Sequence, residues 1–104
     1  MKDVKVFDYG SGNVHSALKA MEIAGARTSL SSDLKTCIES DGLVVPGVGA
    51  FASVLKALVD NGGREVIESR VKLERPILGI CVGMQVMCDW GLENDEATRG
   101  LGIF

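Results

Sequence analysis

A cysteine with a glycine two residues to either side, Gly79-Ile80-Cys81-Val82-Gly83, carries the clearest chemical meaning in this chain. An apolar run, Ile77 to Ile80, precedes it and a helix-compatible stretch from about Val82 to Trp90 follows, so Cys81 falls in a strand-to-helix turn. Such a turn crowds its neighbours. Glycine at both flanks removes the side chains that would clash and leaves the central residue presented as a nucleophile. The N–H groups that open the following helix carry partial positive charge, worth at most about 2 kcal/mol, and favour thiolate over thiol. A thiolate still needs a general acid to protonate a leaving amine, usually a histidine. The plainer alternative is a small buried cysteine in a joint between two elements.

Two further glycine-rich loops are placed to assist. Pro46-Gly47-Val48-Gly49 follows the apolar run Gly42 to Val45, and its glycines allow backbone N–H groups to approach an oxyanion closely. Alone it reads as an ordinary turn, but its pairing with the cysteine turn favours the chemical role. Tyr9-Gly10-Ser11-Gly12-Asn13 could cradle a phosphate at a helix N-terminus, yet it lacks the full G-x-G-x-x-G pattern. Asn13 as an N-cap is the simpler local role. His15 reads as a surface residue, and Cys37 and Cys88 as helix packing residues.

These loops need elements to hold them. Val4 to Tyr9 is β-prone, and Val14, Ala17, Leu18, Met21 and Ala24 form the apolar stripe of a helix that Gly25 ends. Arg27 to Leu30 reads as a weak strand and Ser32 to Glu39 as a short helix. Gly42 to Val45 is a buried-type strand, and Phe51 to Asn61 a helix presenting Val54, Leu55 and Leu58, stopped by Gly62 and Gly63. Arg64 to Glu74 is a helix with Val66, Ile67 and Val71 inward, Ile77 to Ile80 the strand before the cysteine, and Gly91 to Gly100 polar and irregular. Leu101 to Phe104 reads as the start of a further element.

Alternating strands and helices predict an α/β fold, a doubly wound and mostly parallel sheet with helices on both faces. The loops after the first, third and fourth strands then share the carboxyl edge, where ligands collect in such folds.

The 104 residues, 46% hydrophobic, set a ceiling of one domain. A net charge of -3 with no basic stripe argues against nucleic acid. Three cysteines without a C-x-x-C pair and a single histidine argue against structural zinc or a disulfide framework. No cofactor is implied. No signal-peptide pattern opens the chain, and its longest uncharged stretch is too short to span a bilayer, so the cytoplasm is the expected location.

Together Asp8-Tyr9-Gly10-Ser11-Gly12-Asn13, Pro46-Gly47-Val48-Gly49-Ala50-Phe51, Gly79-Ile80-Cys81-Val82-Gly83-Met84-Gln85 and Arg99-Gly100-Leu101-Gly102 closely resemble the glutamine amidotransferase subunits of imidazole glycerol phosphate synthase. That family lies within the class I glutamine amidotransferases, which have a flavodoxin-like fold. The resemblance covers the whole chain. It implies that glutamine is hydrolysed to glutamate and that the ammonia passes to a cyclase (β/α)₈-barrel partner in histidine biosynthesis. It implies Cys81 as nucleophile, with backbone N–H groups of Val48 or Gly49 and of Val82 as the oxyanion hole. Gly49, Gln85 and Glu93 match positions that hold glutamine, and Gly10, Ser11 and Asn13 match the surface facing the partner.

The family's triad is completed by a His and a Glu of a distal H-x-E segment, which these 104 residues do not contain. The resemblance therefore predicts residues 1–104 to be an N-terminal half, lacking the C-terminal half with those two groups. A non-catalytic binding or regulatory module of the same fold is the rival reading. A thiol hydrolase or redox sensor is a third, and the P-G-V-G-A-F block argues against it.

Overall fold

A computed structural model describes residues 2–10, 13–80, 82–85, 90–93 and 96–99. The chain begins with strand β1 (Asp3–Phe7), helix α1 (Val14–Ile23), strand β2 (Arg27–Ser31), helix α2 (Leu34–Glu39) and strand β3 (Gly42–Val45). Helices α3 (Phe51–Asp60) and α4 (Gly63–Lys72) follow, then strand β4 (Ile77–Gly79), the short helix α5 (Val82–Gln85), and strands β5 (Trp90–Glu93) and β6 (Glu96–Arg99). Four strands form a parallel sheet in the order β2-β1-β3-β4.

The doubly wound expectation holds. Alternate residues of the sheet feed two cores, as the period of two in a strand requires. On one face Val4, Val6 and Val44 pack with Ala17 of α1. On the other, Phe7, Leu43 and Val45 pack with Cys37 of α2, Phe51, Val54 and Leu58 of α3, and Val66 and Ile67 of α4. Leu43, Val44 and Val45 are all buried, which is why β3 is apolar throughout.

Local signals set the helix ends. The Asn13 side chain accepts from the Ser16 N–H at 3.2 Å and caps α1, and the Asp33 carboxylate accepts from the Thr36 N–H at 2.9 Å and caps α2. Gly25 follows α1 at φ +96, the left-handed conformation expected after a helix C-terminus. Cys37 is buried as anticipated, with its thiol donating toward the Ser31 carbonyl at 3.6 Å.

Several expectations need correction. Val71 does not point inward but is 47% exposed, and Arg70 is buried in its place. The guanidinium wins that position because it bonds carbonyls at the end of α2, which a valine does not. Gly63 opens α4 instead of only stopping α3. Trp90 does not extend the helix after the cysteine turn; it begins β5. The segment read as irregular is an antiparallel pair, with Trp90 opposite Arg99 and Glu93 opposite Glu96. Its polar composition hid the pairing, which cross-strand backbone hydrogen bonds define. Ser11, Cys81, Cys88 and the Leu101 to Phe104 segment lie outside the described residues.

Candidate active site at the carboxyl edge of the sheet

Because β1, β3 and β4 run parallel, the segments that follow them emerge at one edge of the sheet. The closest association there is between the Pro46–Gly49 loop and the turn leading into α5. The Ile80 N–H donates to the Val45 carbonyl at 3.0 Å, extending the β3–β4 ladder by one bond, and the Gly83 N–H donates back to the Ile80 carbonyl at 2.9 Å. Gly83 is then pressed against β3. A Cβ added to it would stand 2.0 Å from the Val45 carbonyl oxygen and 2.9 Å from the Pro46 carbonyl carbon.

Gly47 makes the reciprocal contact, since a Cβ there would stand 2.5 Å from the Gly83 nitrogen. The two glycines thus let the backbones of the cysteine turn and the P-G-V-G loop touch directly. This agrees with the crowding argued for Gly83 from the sequence. It also yields an expected outcome. Gly83→Ala should destabilise the protein by about 1–3 kcal/mol, the usual range for overpacking, because the clash is with backbone that has no rotamer to change. Urea denaturation measures it, and an unchanged midpoint would contradict the contact.

Beyond Gly47 the loop turns outward. Pro46 and Gly47 are buried, whereas Val48, Gly49 and Ala50 are exposed. Gly49 adopts φ +117, a conformation that side chains with a Cβ rarely enter. Val48 and Gly49, both candidate oxyanion donors, thus lie on the same edge as Val82 and Gln85 of α5. Glu93 sits on β5, which contacts α3, the helix that this loop leads into. Of the residues matched to the partner-facing surface, Gly10 (φ +90) and Asn13 are described, and Asn13 is exposed.

A groove of about 270 Å³ separates α1 from the loop, lined by Asn13, Ser16, Ala17, Ala20, Pro46, Gly47, Val48 and Ile80. A second cavity, of about 320 Å³, lies at the opposite edge of the sheet among Val4, Met21, Val44 and Leu78. It is remote from the glycine loops and brings no set of reactive groups together. Among the described residues no cluster of His, Cys, Asp and Glu could hold a metal ion, and no helix is long and apolar enough to cross a membrane.

Tyr9 is the residue that sequence reasoning left without a role. It is 2% exposed, and its hydroxyl donates to the Pro46 carbonyl. The available signal was an aromatic residue with a hydroxyl placed immediately before a glycine-rich loop. His15 is exposed on α1, as anticipated.

Comparison with known proteins places this arrangement. The family described as glutamine amidotransferase class-I matches residues 5–91. The imidazole glycerol phosphate synthase subunit HisH of Leifsonia xyli subsp. xyli is 57% identical over 101 residues, covering 97% of this chain and 48% of that protein. The subunit of the same name from Thermobifida fusca is 52% identical over 97 residues, covering 93% of this chain and 46% of its own length. A crystal structure of a glutamine amidotransferase aligns over 96% of this chain with a TM-score of 0.75 at 20% identity, a likeness of fold. The chain spans about half the length of the curated relatives it matches.

Proposed function

The chain belongs to the class-I glutamine amidotransferases, and from that premise we propose that it supplies the nucleophile half of the glutamine-hydrolysing subunit of an imidazole glycerol phosphate synthase. The direct backbone contact between Gly47 and Gly83 carries this reading, because it brings an oxyanion loop against a nucleophile turn.

In the proposed reaction the Cys81 thiolate attacks the side-chain amide carbon of glutamine, and the carbonyl π electrons move onto oxygen. The backbone N–H groups of Val48 or Gly49 and of Val82 stabilise that oxyanion; one such donor is typically worth about 2.7–4 kcal/mol in the transition state. Collapse expels the nitrogen, which takes a proton from the distal histidine and leaves as ammonia. Water then hydrolyses the glutamyl thioester to glutamate and restores the thiol. Gly49, Gln85 and Glu93 hold the substrate.

The ammonia passes to a cyclase (β/α)₈-barrel subunit docked against Gly10, Ser11 and Asn13, forming a heterodimer with lyase activity in the cytoplasm. The names of the relatives as subunits of imidazole glycerol phosphate synthase support a partner of this kind.

Thiol reactivity tests the assignment. Cys37 is buried, and desolvation pushes its thiol pKa up, outweighing the Ser31 hydrogen bond that lowers it. Iodoacetamide should therefore label Cys81 well ahead of Cys37 in the full-length subunit, and added glutamine should slow labelling of Cys81 alone. Peptide mapping reads both. Equal labelling of the two, indifferent to glutamine, would remove the case for an activated substrate-binding thiol.

A further inference from the structure

We propose that Tyr9 is a positioning residue for the oxyanion loop, holding the Pro46–Gly47 peptide in the one orientation that aims the following N–H groups at the substrate. This rests on the reading of the loop given above.

Tyr9 is itself firmly held. Its ring packs on Phe7 with centroids 5.4 Å apart, and its carbonyl accepts from Asn61 Nδ2 at 3.0 Å. Asn61 Nδ2 also donates to the Ala57 carbonyl at 2.7 Å, so the end of α3 braces the residue from the far side. From this anchored position the hydroxyl donates to the Pro46 carbonyl, a bond between residues 37 apart in sequence.

That carbonyl and the Gly47 N–H belong to one planar peptide unit, so fixing the oxygen fixes the plane. Downstream, Gly49 stands at φ +117 with nothing within 4 Å of where a Cβ would be. The Pro46 anchor fixes the start of this segment. Without the hydroxyl the Pro46 carbonyl loses a buried donor, and rotation of the peptide toward another one would turn the N–H groups after it. Tyr9 touches neither substrate nor the reacting atoms in this scheme.

The test uses the full-length subunit in complex with its partner, comparing the parent, Tyr9→Phe and Cys81→Ala. Tyr9→Phe keeps the ring and removes one oxygen. We expect its kcat for glutamine hydrolysis to fall about tenfold, less than loss of a direct oxyanion donor would cost. KM should stay within about twofold of the parent, since the interaction lost acts chiefly in the transition state, and Cys81 should be alkylated at the parental rate. Tyr9→para-aminophenylalanine restores a donor at the same place and should recover kcat, whereas the size-matched Tyr9→para-methylphenylalanine should not. This second pair carries the comparison if Tyr9→Phe does not fold.

Parental kcat in Tyr9→Phe, with Cys81→Ala inactive, would overturn the role of Tyr9 and leave the glutaminase reading standing. A lowered melting temperature with kcat and alkylation falling together, and no recovery with the amino analogue, would also overturn it. Glutamate release by Cys81→Ala at the parental rate would overturn the reading beneath it.

Discussion

Cys81→Ala in the full-length subunit, assembled with the proposed cyclase partner, is expected to lower glutamine-dependent turnover by at least about 10³-fold, as removal of a covalent nucleophile generally does. The loss should fall on kcat, because alanine leaves the backbone donors and the substrate contacts in place. Synthesis from added ammonium salts should continue at the parental rate, since in the proposed reaction the partner performs that step without the thiol. The pair of measurements separates the two halves of the reaction. If glutamine-dependent turnover survived, the nucleophile would be elsewhere; if ammonium-dependent synthesis also collapsed, the substitution would have broken the complex.

Arg70→Met should be the most destabilising of the simple side-chain changes. Arg70 is fully buried, and its Nη1 donates to the carbonyls of Cys37 at 2.9 Å, Ile38 at 3.0 Å and Ser40 at 2.8 Å. Its Nη2 donates to the Pro76 carbonyl at 2.7 Å. One side chain of α4 therefore fastens the end of α2 to the start of β4. No ion pair of Arg70 occurs among the described residues; the charge is answered by carbonyl oxygens and by the negative end of α2. Burial draws its pKa below the ordinary arginine value, yet arginine stays protonated.

Methionine fills the same channel but donates nothing. Its cost should be about 3 kcal/mol or more, since several buried acceptors lose a charged donor at once. That is a large share of the roughly 5–15 kcal/mol by which a domain is stable. Arg70→Lys should fall between the two, because an ammonium cannot span α2 and β4 as the guanidinium fork does. Urea denaturation of the full-length subunit decides it. A change below about 1 kcal/mol in Arg70→Met would show that water replaces the lost donors easily.

The sequence by itself determined the order of elements from β1 to α5, the parallel α/β class and the family. These rest on local rules: alternating apolar runs, caps such as Asn13, and glycine at the ends of helices. The strand Gly42–Val45 was legible to its exact bounds because an all-apolar run between a glycine and a proline leaves little else for it to be. That the loops after β1, β3 and β4 share an edge also followed, since parallel strands all end on the same side.

Contacts between residues far apart in sequence were decided only by the tertiary structure. Whether Gly47 and Gly83 touch depends on the β3–β4 register, which places Val45 opposite Gly79 and leaves Val45 to accept from Ile80. The exchange of Val71 for Arg70 on the inner face of α4 was invisible because hydrophobic periodicity ranks valine inward, while the deciding acceptors lie about 30 residues earlier in the chain. Tyr9 gained its role for the same reason. Local propensity fixes where a chain turns, but a hydroxyl finds a carbonyl 37 residues away only after the sheet has brought β1 and β3 side by side.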